Sequence, residues 1–238
     1  MALPLRDNVP TRSFPVVTVA LIAINAAVWL FYQLPNLDRS LQDLAFHPCE
    51  VNASCPAGFH GDRGWLLTAL TSMFMHGSWL HIAGNMLFLW IFGNNIEDSM
   101  GRLRYLLFYL LGGFAATALQ TLVTFHWGQA GDSAVPNLGA SGAISAVLGA
   151  YLVLLPRASV LTIIFYFFVH VPAYLFLGFW ILFQLWQGGT AIVHPEAGGG
   201  VAFFAHVGGF AFGVLTVYLF KIRDPLPPSG AHFGRAYR

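Results

Sequence analysis

Residues 201–221 read VAFFAHVGGFAFGVLTVYLFK. No Asp, Glu, Lys or Arg occurs from 197 to 220, and Lys221 closes the stretch. A helix rises 1.5 Å per residue, so about 20 apolar residues cross a bilayer's hydrocarbon core. One ionisable side chain, His206, interrupts this run. Gly209 and Gly213 stand four apart on the same face as His206, the small-x-x-x-small spacing that lets membrane helices approach closely. The segment reads as a bilayer span carrying one polar group.

Five more charge-free stretches lie upstream, at 13–37, 64–96, 105–131, 133–156 and 158–195. Trimmed at Pro, Gly and polar clusters, the six give spans near 15–33, 79–96, 104–125, 138–155, 172–187 and 201–221. The composition agrees. The chain of 238 residues is 57% hydrophobic and 9% charged, against about 25% charged in ordinary globular domains. It cannot cover a soluble surface of its size. Its 22 Phe and 7 Trp argue against disorder, and its few basic residues argue against a nucleic-acid face. The expected fold is an all-α polytopic membrane protein with six transmembrane helices. Residues 158–168 are too few for a seventh span, so 160–169 is expected to be an interfacial or partly inserted segment, with Pro172 starting the fifth helix.

With six spans the connections alternate sides. Arg6, Arg12, Arg102, Arg104, Arg157, Lys221, Arg223, Arg235 and Arg238 fall on one side, and Arg39 and Arg63 on the other. The positive-inside rule then places both termini in the cytoplasm. The expected organisation is a cytoplasmic segment at 1–14, a membrane domain at 15–221 and a cytoplasmic tail at 222–238. The first span resembles a signal peptide in its basic flank, but 16–32 is longer than a usual apolar region and no small-x-small cleavage site follows it. Cys49 and Cys55 lie in the loop after it, on the non-cytoplasmic side. They suit a local disulfide. The alternative is a zinc site with His47 and His60, whose spacing fits no common finger. Asn52-Ala-Ser54 matches a glycosylation sequon, a pattern frequent by chance.

Polar side chains are costly inside a bilayer and are functional candidates there. The second span holds His81 and Asn85, the fourth Ser141 and Ser145, and the sixth His206. These three spans run in the same direction, and His81, Ser141 and His206 each lie a few residues in, so they are expected at one depth. Ser141, Ser145 and Gly149 recur every four residues along one stripe. A serine hydroxyl needs a base to become a nucleophile, and a neutral imidazole within reach supplies one. The expected arrangement is a Ser141–His206 dyad. His81, Asn85, the Ser141 backbone N–H and Gly139 form the oxyanion side. His76, at the mouth of the second span, orients the loop or adds a donor. Taken singly, Ser141 reads as helix packing, His206 as a structural hydrogen bond, and Gly142, Gly209 and Gly213 as close-contact residues. Together they form a nucleophile, a base and donors at one level. Other hydrolase signatures fail. There is no His-Glu-x-x-His, no Asp pair within a span, and Ala143 stands where a hydrolase elbow needs its last Gly.

At these residues the sequence resembles the rhomboid family of intramembrane serine proteases. The motifs are Gly139-Ala-Ser141-Gly142, His76-Gly-Ser-Trp-Leu-His81-Ile-Ala-Gly-Asn85 and Ala205-His206-Val-Gly-Gly-Phe210-Ala-Phe-Gly213, with Glu97-x-x-x-Gly101-Arg102 after the second helix. The likeness runs over about 15–221. It implies a rhomboid-like fold in the basic six-helix form common in bacteria. It also implies the same dyad, no cofactor and no metal, and cleavage of single-pass membrane proteins in or near their transmembrane segment at small residues. With it comes an expected place in the cell's inner (plasma) membrane, the active site opening to the non-cytoplasmic side. One departure is Trp65-Leu66, where many relatives carry Trp-Arg. Loop 188–200, with Gly188, Gly189 and 198–200 all glycine, is expected either to cap the site or to be a plain connector. Span five, with Phe176, Phe179, Trp180 and Phe183, is expected to line a lateral gate or to face lipid. Two other functions are weighed. A non-catalytic rhomboid-like binder of membrane helices would need neither Ser141 nor His206, and a transporter would need charged or unwound midplane positions.

Overall fold

The computed structural model describes residues 2–56, 59, 63–193 and 202–229. The chain is mostly helical. Strand β1 (Ala2–Asp7) is followed by α1 (Val16–Ala27), whose helical path widens over 28–33 and tightens at 34–36 before α2 (Leu37–Leu44). Then come α3 (Trp65–Ser72), α4 (Trp79–Met100), α5 (Arg102–Trp127) and α6 (Ser141–Leu154). Strands β2 (Ser159–Ile164) and β3 (Phe167–Pro172) precede α7 (Ala173–Val193) and α8 (Phe203–Phe220).

Helices stand at all six expected spans. Among the described residues, four helical runs are long and apolar enough to cross a membrane: Val16–Leu44, α5, α7 and α8. Of the other two, α4 carries Glu97 and Asp98 in its last turn, and α6 has 14 residues. That short helix is the centre of the bundle. Every residue from Gly142 to Tyr151 is buried, packed against α5, α8 and α4. Its neighbours cover it, so it need not match the bilayer's thickness. At about 21 Å it is shorter than the roughly 39 Å of α5, and its first residue can begin inside the bundle.

The expectation of an all-α chain is corrected by a three-stranded antiparallel sheet in the order β1-β2-β3. Residues 160–169 are therefore not a single interfacial segment but most of a hairpin, turning at Phe165, which has φ +56°. Val160, Thr162, Ile163, Ile164, Val169 and Val171 suit pleated backbone. A short apolar run looks the same to a hydropathy scan in either form. Pro4 lies in the outer strand β1, and the register shifts between it and Arg6, as expected for a residue with no N–H to give the ladder.

The sheet belongs to one end of the bundle. Asp7 accepts hydrogen bonds from Tyr151 Oη at 2.6 Å and Asn95 Nδ2 at 2.6 Å. Burial pushes its carboxyl up to about 6, against the lowering effect of those donors. Asp98, 3% exposed, takes Arg12 Nη1 at 2.8 Å and Arg223 Nη2 at 3.2 Å. Beside it, Glu97 caps α1 by accepting the N–H groups of Val17 (2.9 Å) and Thr18 (2.8 Å) and the Thr18 hydroxyl. The residue preceding α1 is Pro15, which offers no side-chain cap. A carboxylate from α4 thus serves the first-turn donors of another helix. Gly101, at φ +75°, is the single residue between α4 and α5, a conformation that favours glycine.

Candidate active site

The opposite end of α6 is held by the segment between the first and second expected spans. Cys49 and Cys55 form a disulfide there, so the zinc alternative falls. His60 lies outside the described residues. Glu50 accepts from the Thr68 hydroxyl at 2.5 Å, tying the disulfide loop to α3. The carbonyl at the end of α3, on Ser72, accepts from Gly139 N–H at 2.9 Å. Phe46 and Asn137 exchange backbone hydrogen bonds. The chain entering α6 is therefore pinned from two directions. Gly139 itself has φ +124°, in the region that a side chain strains.

Ser141 is the first residue of α6 rather than one several residues into a longer span. That corrects the expected span start at 138. It also changes the electrostatics, because the first-turn N–H groups of a helix have no intrahelical partner and carry its positive dipole end. Ser141 Oγ lies 2.9 Å from His206 Nε2. His206 sits in the first turn of α8, and α8 lies very close to α6. A Cβ built on Gly209 would collide with the Gly142 carbonyl, and one on Gly213 with the Ala146 carbonyl. Gly142 meets Ala116 of α5 in the same way. The glycines named from sequence are thus what lets a short serine side chain reach an imidazole.

On α4, capped by the Ser78 hydroxyl, His81 receives the Gly77 N–H at Nδ1 (3.4 Å). With Nδ1 accepting, a neutral His81 carries its proton on Nε2. The position a Cβ on Gly139 would take is 2.8 Å from that Nε2 and 3.4 Å from Ser141 Oγ. Lacking a side chain, Gly139 leaves a point flanked by both a donor and the hydroxyl. Asn85 Nδ2 donates to His76 Nε2 at 2.9 Å. Gln33 fixes His76, accepting its N–H and donating to its carbonyl, each at 2.8 Å. The rings of His76 and His81 meet edge-on, 5.1 Å apart. A cavity of about 30 Å³ adjoins Ser141, lined among others by Met73, Gly113, Ala116 and Gly139. A larger recess of about 120 Å³, between α5, α7 and the start of α8, lies away from Ser141.

Ser141, His206, His81 and Gly139 are thus brought together, with Asn85 and His76 as an adjoining pair. Gly142, Gly209 and Gly213 form the helix seam. Ser145 turns back on its own helix, donating to the Ser141 carbonyl at 2.6 Å. The expected loop from 188 is corrected, since α7 continues through Gly188 and Gly189 to Val193, and Gly188 packs against Phe203 and Phe204. Glycines 198–200 lie outside the described residues. Two residues went unread. Gln33 and Gln184 are strongly polar, buried, and placed in otherwise apolar runs, and that is the signal by which His206 was found. Gln184 Oε1 lies 2.8 Å from His206 Nδ1.

Comparison with known proteins gives the chain a family. A family model described as the rhomboid domain matches residues 63–223. Rhomboid protein 1, mitochondrial, of Saccharomyces cerevisiae is 29% identical over 82% of this chain and 51% of its own length. Presenilin-associated rhomboid-like protein, mitochondrial, of Homo sapiens is 29% identical over 87% of this chain and 50% of its own. RHOMBOID-like protein 12, mitochondrial, of Arabidopsis thaliana is 32% identical over 84% and 57%. The chain spans about half the length of these curated relatives. Their names overturn the expected location in a cell's inner (plasma) membrane, because these relatives are mitochondrial proteins. Over two thirds of its length, and through every motif around Ser141 and His206, the chain belongs to the rhomboid family of membrane proteins.

Proposed function

We propose that this rhomboid protein is an intramembrane serine endopeptidase that hydrolyses a peptide bond in or near the transmembrane segment of single-pass membrane proteins. The observation that carries the reading is the 2.9 Å approach of His206 Nε2 to Ser141 Oγ, at the start of a buried helix. In this reading Nε2 takes the hydroxyl proton as Oγ attacks the scissile carbonyl. The resulting oxyanion is held by the Ser141 N–H, His81 Nε2–H and an amide hydrogen of Asn85. Imidazolium then gives its proton to the leaving amine, and a water activated by the same imidazole releases the acyl group. The cavity beside Ser141 has room for one or two water-sized groups, which suits a small side chain before the cut. A helical substrate hides its carbonyls, so segments that unwind readily are the better substrates.

The same reading takes α1, α4, α5, α6, α7 and α8 as six crossings that form a membrane domain at 15–221, flanked by 1–14 and 222–238. It places both termini on the arginine-rich side, and the meeting of Arg12, Asp98 and Arg223 at one end supports this. The test is labelling of the purified protein in liposomes with a serine-directed phosphonate, followed by mapping of the adduct. Attachment to Ser141, absent from His206→Ala, is the expected result. A folded protein that takes no label would move the reading to a non-catalytic binder of membrane helices.

A further inference from the structure

We propose that Gln184 is a positioning residue for His206, its amide oxygen accepting the Nδ1 hydrogen so that Nε2 is left as the base. The inference rests on the Ser141–His206 reading above. Gln184 lies on α7, in a charge-free run, yet its side chain is buried, 7% exposed. An amide in such surroundings is costly unless bonded, and the bond it has is to the imidazole, Oε1 to Nδ1 at 2.8 Å. One turn earlier, Trp180 flanks the same ring with centroids 5.9 Å apart. The imidazole is therefore held on its Nδ1 side by α7 and meets Ser141 on its Nε2 side.

A neutral imidazole has one N–H, and its position decides whether Nε2 can take a proton. The Ser141 hydroxyl cannot decide it, because a hydroxyl donates or accepts equally well. An amide oxygen only accepts, so it fixes the hydrogen on Nδ1 and leaves the Nε2 lone pair facing Ser141. The reversed amide would drive the hydrogen to Nε2 and leave the pair inert. As Nε2 gains its proton, the same oxygen faces a developing imidazolium and stabilises it. A neutral amide does this without the cost of a carboxylate inside a bilayer. There is a mechanical consequence. The glycine seam locks α6 to α8, whereas Gln184 belongs to α7. Movement of α7 away from α8 would unfasten Nδ1 and leave the Ser141–His206 distance unchanged.

The experiment compares Gln184→Leu, Gln184→Asn and Gln184→Glu with wild type and Ser141→Ala, in full-length protein in liposomes, with kcat and KM measured on one cleaved membrane substrate. Leu removes the acceptor, Asn draws it back by about 1.5 Å, and Glu keeps an acceptor oxygen in place whether or not it is protonated. The expected result is a kcat lowered about 10- to 100-fold in the Leu and Asn variants, with KM within about twofold, and activity kept within about threefold by Glu. Wild-type kcat in Gln184→Leu beside a dead Ser141→Ala would overturn the positioning role and leave the protease reading standing. Equal loss in Leu and Glu would reduce Gln184 to packing, and a change in KM alone would do the same. Cleavage by Ser141→Ala at the wild-type rate would overturn both. If Gln184→Leu does not fold, Gln184→Met makes the same comparison.

Discussion

Gly209 of α8 faces the Gly142 carbonyl of α6 so closely that no Cβ fits between them. The Ser141–His206 contact depends on this seam, because the two side chains reach each other only while the two backbones nearly touch. Gly209→Ala should therefore lower stability by about 1–3 kcal/mol, the usual cost of overpacking, and reduce activity more than the loss of folded protein explains. Gly178→Ala on α7 is the control, since its added Cβ meets nothing within 4 Å. Thermal unfolding in detergent and cleavage rate per folded molecule check both variants.

The site was readable because its residues break local rules. An imidazole, an amide and serines in apolar runs stand out, and counting residues from each span's start suggests that they meet. What joins them was only partly readable. The hairpin escaped because apolar β-branched residues satisfy a hydropathy scan without revealing their period. The start of α6 escaped because the positive-φ approach at Gly139 is tied by its hydrogen bond to Ser72, 67 residues earlier in the chain. Gln184 was missed for a simpler reason. It is an uncharged amide like Asn85, but its own span holds no histidine or serine to mark a site, and its partner His206 lies 22 residues further along the chain.

Removing the donors proposed for the oxyanion should act on turnover rather than on binding. His81→Ala and Asn85→Ala are each expected to lower kcat by about 10²–10³, the usual cost of losing one such donor. His76→Ala should mimic Asn85→Ala more weakly, because His76 acts by receiving the Asn85 amide. Steady-state kinetics on a single substrate separates these cases. A rise in KM with kcat unchanged would remove His81 or Asn85 from the oxyanion side.

Glu97 should matter for stability without touching the chemistry. It is 4% exposed and caps the start of α1 through three hydrogen bonds. Glu97→Ala leaves two first-turn N–H groups unpaired and the Thr18 hydroxyl with only its longer contact to Tyr105, and should cost about 2–4 kcal/mol. Thermal unfolding should register the loss, while the kcat of the remaining folded protein stays near wild type.

Asp7 gives the sheet a pH dependence. Its carboxyl is pushed by burial from 3.8 up to about 6 in the folded chain, so the folded state holds this proton more tightly than the unfolded one. Its contribution to stability is complete below about pH 4 and is lost as pH rises through about 6. Asp7→Asn should remove that slope, worth about 1–2 kcal/mol once partial exposure is allowed for. Unfolding midpoints at pH 5 and pH 7.5 test it. Wild type should lose more between the two than the variant, and equal losses would contradict the assignment.

The most direct test of the central claim is cleavage of a panel of tagged single-pass membrane substrates by the purified protein in liposomes, with Ser141→Ala and His206→Ala run in parallel. The account predicts cleavage by wild type alone, at sites in or near the transmembrane segment. Equal cleavage by wild type and Ser141→Ala would contradict it.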